Sequence, residues 1–486
     1  MRKGQRSVMN YSAVFRMLGY VLQFEAGFLL LPCIVALIYR EKSGFAYLIM
    51  AAACFVIGFS LSRIKGKSKN FFAKEGFVSV ALSWIVMSLA GCMPFIISGE
   101  IPKFIDALFE TVSGFTTTGA SILTNVEALS KCSLFWRSFT HFVGGMGVLV
   151  FLLAILPLAG GQNMHLMRAE SPGPQVGKLV PKIRSTALIL YAIYAGMTVL
   201  QLVLMLCGKM PLFDAIAIAF GTAGTGGFAV TNAGLGGYSY YIQTVVAVFM
   251  ILFGVNFNVY YLFLIRKTKQ ALKSEEVRWY FGLVIVSVIL ITWNTRGMYE
   301  STYDSAHHAF FQVATLISST GFATTNFDLW PTASKTILIL LMFCGACAGS
   351  TGGGLKVSRV VILLKSVMQE IKTLLHPRTV KQTRIEGKAL EPAVRSSVQV
   401  FFFAYLLVFA GSLLLIAFDG YDFETSFTAV LATMSNMGPG MGAVGPMCNY
   451  SEFSVMAKYV MIFDMLAGRL ELFPMLLLFV PETWKR

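Results

Sequence analysis

Four small-residue turns constrain this chain more than any other feature. They are GFTTTGAS around Thr117, Thr118 and Gly119; GTGGF with Gly224, Thr225 and Gly226; SSTGF with Ser319, Thr320 and Gly321; and SNMGPG with Asn436, Met437 and Gly438. The glycines Gly119, Gly226, Gly321 and Gly438 recur at intervals of roughly a hundred residues, the signature of an internal repeat. Ahead of each lies a segment that makes one short helix: 104–113, 212–220, 307–317 and 423–432. Each is too short to cross a bilayer, which takes about 20 apolar residues. Longer apolar segments flank each one. The predicted unit is a spanning helix, a short re-entrant helix, a glycine turn and a second spanning helix, made four times.

Non-helical backbone at membrane depth is tolerated only where protein buries it or water lines it. Four such turns on one axis would present rings of carbonyl oxygens able to replace a cation's water shell. Glycine reaches φ > 0 without steric cost, so successive carbonyls can face the same way. A short helix ending there aims its negative dipole end at the ion path. The adjacent serines and threonines add hydroxyl oxygens. The competing reading is that the glycines only permit close helix packing. One turn would leave that reading ahead; four, each behind a short amphipathic helix, favour the pore.

These residues resemble the Trk/Ktr/HKT superfamily of potassium transporters, and most closely its TrkH-type subunits. TTTGAS, GTGGF, SSTGFATTNFD and SNMGPG carry the likeness. So do HFVGGMG (141–147), GACAGSTGGGLK (345–356) and AGRLELFP (467–474). The resemblance implies potassium as the transported ion and a filter made by the twelve turn residues named above. In the superfamily a serine at the first filter glycine accompanies sodium permeation; here Gly119 and its three counterparts are all glycine. Gly224 stands where a serine is usual, and Ser318 and Ser319 where threonines are. The resemblance also implies a homodimer with one pore per protomer. A cytosolic ring of nucleotide-binding regulatory subunits of TrkA type would dock on it.

Composition agrees with a multi-pass membrane protein. Of 486 residues 56% are hydrophobic and 13% charged, about half the charged share of soluble domains. The formal net charge of +15 does not point to nucleic acid, because the basic residues sit in short loops between apolar spans. With about ten spans, all these loops fall on one side, which the positive-inside rule makes cytoplasmic. Both termini are then cytoplasmic and the turns open outward; the resemblance implies a bacterial cytoplasmic membrane, with lipid around the chain. The N-terminal region lacks the pattern of a cleavable signal. Eight cysteines show no framework, and Cys344-x-x-Cys347 lies on an apolar segment rather than at a redox or metal site.

The expected fold is all-α: an N-terminal hairpin (1–70) and four pore repeats (71–170, 180–270, 275–376 and 390–486). TrkH-type members of the superfamily have such a hairpin. Asp106, Asp214 and Glu424 stand near the starts of three short helices, where the dipole favours them and where they would make the outer mouth negative. The third repeat breaks this spacing, with His308 at the matching position and Asp304 further out.

Gly345, Gly349, Ser350, Thr351, Gly352, Gly353 and Gly354 interrupt the inner helix of the third repeat, since a run this rich in glycine does not hold a helix. A phosphate loop would need Gly-Lys-[Ser/Thr] after a strand; here Leu355 precedes Lys356 and Val357 follows. The loop, together with Lys356 after it, reads as a gate, the role its counterparts play in the family. In the last inner helix Asp464, Arg469 and Glu471 must face protein or the water path. Arg469 either holds the gate shut from the axis, as the resemblance implies, or forms a buried pair with Asp464 or Glu471. His141 reads as a structural hydrogen-bonding residue, with proton carriage as the alternative.

A membrane potential of 100 mV is worth about 2.3 kcal/mol per charge and sustains roughly 50-fold accumulation, so gated diffusion suffices. Proton or sodium symport, or weak potassium/sodium discrimination, are the alternatives. No paired aspartates, Ser–His pair or H-E-x-x-H site marks a membrane enzyme, and no organic cofactor is implied. Four direct repeats differ from the inverted halves of many secondary transporters.

Overall fold

The computed structural model describes residues 9–64, 73–155, 183–376 and 383–484. Arg2, Lys65, Lys178, Lys381 and Lys485, among the basic residues behind the orientation above, lie outside them, as does the connector 161–182. The chain is an all-α polytopic membrane protein. The exception among the described residues is one small ladder, Arg384–Ile385 against Lys388–Ala389, turned through Glu386 and Gly387 at φ 50° and 78°.

The hairpin is Tyr11–Tyr39 and Gly44–Ser62. The first helix has 29 residues, about 43 Å at 1.5 Å per residue, ample for a hydrocarbon core of about 30 Å. Asn10 caps it by accepting from the Ala13 amide, and Arg40 ends it in the left-handed region. The two helices cross at Gly19 and Gly58, where a methyl on either glycine would lie 2.7 Å from the other's carbonyl oxygen. This is the close approach that small residues permit between membrane helices.

The outer helices of the four repeats are Ala73–Ser98, Ile183–Cys207, Glu275–Thr295 and Pro392–Ala417. The short helices are Phe104–Phe115, Leu212–Ala223, Thr302–Ile317 and Phe423–Met434. The third begins earlier than its apolar pattern predicts, because Ser301 caps it by accepting from the Asp304 amide at 3.1 Å. Each short helix therefore carries an acid in its first turn, Asp106, Asp214, Asp304 or Glu424, and Asp304 stands further from its glycine because the third short helix has 16 residues where the others have 12. Toward their C-termini these helices are buried on all sides, with Phe109, Phe115, Ile218, Phe311, Leu316 and Leu431 in the central core.

Sequence reasoning breaks only the third inner helix; the structure breaks three. The first runs unbroken over Lys131–Ile155. The second is Tyr240–Phe253 followed by Phe257–Leu264, bent by 91°. The third is Thr332–Cys344, the glycine loop, then Val357–Leu375. The fourth is Val455–Arg469 followed by Phe473–Leu478, with Glu471 and Leu472 left-handed between them. The second break is stable because its freed carbonyls find donors, as membrane breaks require. Tyr260 donates to Leu252 O at 2.6 Å, Tyr280 to Ile251 O at 3.2 Å and the Cys347 amide to Gly254 O at 3.0 Å.

Candidate functional site

All four short helices end in the same way. The amides of Thr118, Gly226, Thr320 and Met437 donate to Ser113 O, Gly221 O, Thr315 O and Ala432 O at 2.8–2.9 Å. These are the wide bonds of a Schellman cap, which places the preceding residue in the left-handed region. Those residues are Thr117, Thr225, Ser319 and Asn436, with φ 52–59°. None is glycine, so each carries strain of about 1–2 kcal/mol. Its repetition four times marks a built feature. Two residues on, φ is positive again at Gly119, Gly227, Gly321 and Gly438.

The second turn is thus centred on Gly227, one residue later than the sequence register that chose Gly226. The GTGGF run offers two adjacent glycines, and only the cap distinguishes them. Thr225-Gly226-Gly227 matches Thr117-Thr118-Gly119, and Gly224 matches the cap residue Thr116.

The turns meet. A methyl on Gly119 would collide with Gly226 O, one on Gly227 with Thr320 O, one on Gly321 with Met437 O and one on Gly438 with Thr118 O. First touches second, second third, third fourth, and fourth first, which closes a ring around one axis. The turn residues Thr117, Thr225, Ser319, Thr320 and Asn436 are all buried. The hydroxyls of Thr118 and Thr320 are engaged with Thr116 and Ser318 at 2.8 and 2.7 Å. These two hydroxyls are thus held by their own caps.

Above the ring is a recess lined by the strands that follow the four glycines, and by Arg137. Asp106, Asp214 and Glu424 do not line it. Lys458 pairs with Asp106 at 2.7 Å, Lys335 pairs with Glu424 at 2.6 Å, and Tyr238 donates to Asp214 at 3.0 Å. These acids stand in the first turns of their helices and bind neighbouring elements, and the pairing with lysine removes most of the negative field expected of Asp106 and Glu424.

Below the ring lies the glycine loop. A methyl on Gly352 would stand 2.7 Å from Ser318 O, and one on Gly353 would run into Ser435 O, so the loop sits under the caps of the third and fourth short helices. The Gly353 amide donates to Ser319 Oγ at 2.5 Å. Lys356, buried and left-handed, donates back to Gly352 O. The Phe257 amide donates to Gly349 O at 3.1 Å, and Ser350 Oγ donates to Cys347 O at 2.6 Å. Gly345 and Gly354 touch at the loop's neck. Arg469 donates to Thr351 O at 2.8 Å and to Gly144 O at 2.6 Å, reaching from the fourth repeat into both of its neighbours. Glu471 instead pairs with Arg359 at 2.5 Å, and Asp464 accepts from Ser412 at 2.7 Å. The two carboxylates named as alternative partners of Arg469 are thus engaged elsewhere.

Sequence reasoning missed several residues here. Glu276 accepts from the amides of Ala348 and Ser358 at 2.6 and 3.2 Å, fastening both sides of the loop to the outer helix. Glu110 and Arg137 form a fully buried pair at 2.7 Å beside the first two turns. Their signal was available: an ionisable residue within a membrane helix is functional by default, and Arg137 stands in the apolar run before His141. His141 bridges the first and second repeats. Its Nδ1 lies 2.8 Å from Gly114 O and its Nε2 accepts from the Phe228 amide at 3.2 Å.

Comparison with known proteins gives consistent matches. A family model described as TrkH, cation transport protein, matches residues 43–486. The Trk system potassium uptake protein TrkH of Salmonella typhimurium is 38% identical over 489 residues, covering 98% of this chain and all of that protein. TrkG of Escherichia coli is 36% identical, covering 97% of this chain and 98% of its own length. The crystal structure of the potassium transporter TrkH from Vibrio parahaemolyticus superposes with a TM-score of 0.88 at 33% identity, covering 98% of this chain and 100% of that one.

Proposed function

The chain belongs to the TrkH family of cation transport proteins, and on that premise we propose that it takes up potassium through a gated, channel-like pore. The closed ring of four turns supports the reading: four left-handed segments in mutual contact bring polar backbone together inside an apolar core. Carbonyls at Thr117–Thr118, Thr225–Gly226, Ser319–Thr320 and Asn436–Met437 replace the ion's hydration shell, and the C-terminal ends of four short helices add negative potential. The ion enters from the outer recess, and the membrane potential drives it. At about 2.3 kcal/mol per 100 mV no further energy source is needed.

The loop 345–354 and Arg469 form the gate. A guanidinium fixed beneath the filter opposes a cation electrostatically, and its bonds to Thr351 O and Gly144 O hold the loop in place. Opening requires the loop and Arg469 to part, and we assign that trigger to a cytosolic nucleotide-binding partner of TrkA type acting on a homodimer. The pore repeats are those set out above, with both termini on the cytoplasmic side.

Rubidium and sodium flux into liposomes tests the filter. Gly119→Ser is expected to lower rubidium preference over sodium; an unchanged preference overturns the assignment. Arg469→Gln is expected to raise rubidium flux in the absence of any partner. Flux no higher than in the parent chain would remove Arg469 from the gate.

A further inference from the structure

We propose that the buried Glu110–Arg137 pair sets the cation preference of the pore by fixing its first two turns relative to each other. The inference rests on the reading of the four turns as the filter.

Glu110 belongs to the first short helix and Arg137 to the first inner helix; both are at most 3% exposed. Glu110 holds the strand leaving the first turn. It accepts from the Ile122 amide at 2.9 Å and from Ser121 Oγ at 3.0 Å. Arg137 Nε donates to the same carboxylate at 2.8 Å. The guanidinium also reaches the second repeat. It lies 4.0 Å from the centre of the Phe228 ring, and Nη1 donates to Ala229 O at 3.4 Å. Phe228 directly follows Gly227 and is packed against His141 as well, ring centres 4.3 Å apart. One turn apart on one helix, Arg137 and His141 thus grip the first side chain beyond the second filter glycine.

A continuous path of contacts runs from the segment leaving the first turn through Glu110 and Arg137 to the segment leaving the second. Stability alone does not require such a pair, since burying two charges costs desolvation that apolar side chains of equal volume avoid. A planar guanidinium supplies fixed direction, with its fork on a carboxylate and its face on an aromatic ring. Displacing one strand by a fraction of an ångström would change the spacing of carbonyls across the ring. Ions that differ only in radius are separated by that spacing. Arg137 also lines the recess through which the ion arrives, and Glu110 compensates its charge there.

The test is the rubidium-to-sodium flux ratio in liposomes for four variants, a ratio that does not depend on how much protein inserts. Arg137→Lys keeps the charge and loses the fork and its stacking face; it is expected to lower the ratio about tenfold. Glu110→Gln is expected to lower the ratio and the flux of both ions, because the guanidinium is left uncompensated. The double variant E110Q/R137M leaves no orphan charge and so guards against misfolding; flux is expected to recover while the ratio stays low. Gly119→Ser is the control for the filter itself. If it shifts the ratio while R137K and E110Q/R137M keep the parent value, the pair only holds the fold and the inference is overturned. If Gly119→Ser leaves the ratio unchanged, the filter assignment falls and takes the inference with it.

Discussion

At the scale of the residue, Gly227 carries the most local information. It has φ 77° and abuts the carbonyl of Thr320. Any side chain there meets both the left-handed penalty of about 1–2 kcal/mol and a backbone oxygen that has nowhere to move. Gly227→Ala is expected to abolish rubidium uptake with protein still present in the membrane. Gly237→Ala, with nothing within 4 Å of an added methyl, is expected to leave uptake unchanged in the same assay. Sequence reasoning centred this turn on Gly226 rather than Gly227, because GTGGF reads equally well in two registers. The register is chosen by the amide of Gly226 bonding back to Gly221 O, a contact that leaves no trace in composition or spacing. The acids Asp106 and Glu424 were legible as helix-start residues; their lysine partners were not, since Lys458 lies 352 positions from Asp106. Lys458→Met is expected to destabilise the protein by about 3 kcal/mol by leaving a partly buried carboxylate unpaired. Asp106→Asn in the same chain should recover much of that loss in thermal unfolding in detergent.

At the scale of the element, the broken inner helices separate what periodicity can reveal from what it cannot. Five glycines in 345–354 announce a break. Gly254 and Asn256 do not, because an isolated glycine beside a capping residue is compatible with a straight membrane helix. The bend there depends on Tyr260 just beyond it and on Tyr280 and the Cys347 amide, contributed by other segments. Glu276 is the same kind of residue, an acid at the start of an outer helix that becomes a staple only when the chain folds back on it. Glu276→Gln weakens both bonds to the loop, since a neutral amide accepts more feebly than a carboxylate. A cysteine placed at Ser350, with Cys207 and Cys448 replaced, is expected to react faster with a water-soluble thiol reagent in the Glu276→Gln background. Equal rates would show that the staple does not restrain the loop.

At the scale of the whole molecule, the hairpin Tyr11–Ser62 packs against the first repeat and stays away from the axis. Tyr47 Oη and Ser133 Oγ meet at 2.9 Å, and Tyr47 lies edge-on to Trp136. Gly19→Leu is expected to lower the unfolding temperature by separating the two helices while leaving the rubidium-to-sodium ratio intact. A changed ratio would mean that the hairpin transmits strain to the ring. The overall plan was legible because a bilayer admits few solutions: long apolar runs span it, short ones dip, and four dips of like sequence pair with one another. The contacts between repeats were not legible, because they join residues about ninety or more positions apart, many through backbone atoms common to every amino acid.

The ring is built from four unlike pieces, Thr-Thr-Gly, Thr-Gly-Gly, Ser-Thr-Gly and Asn-Met-Gly, on one polypeptide. In an assembly of four identical chains every coding change strikes all quadrants at once. Here a single base change alters one quadrant and leaves three as they were, so on the filter reading proposed above ion preference can drift in quarter steps under selection, and natural variants of intermediate discrimination become viable ancestors of one another.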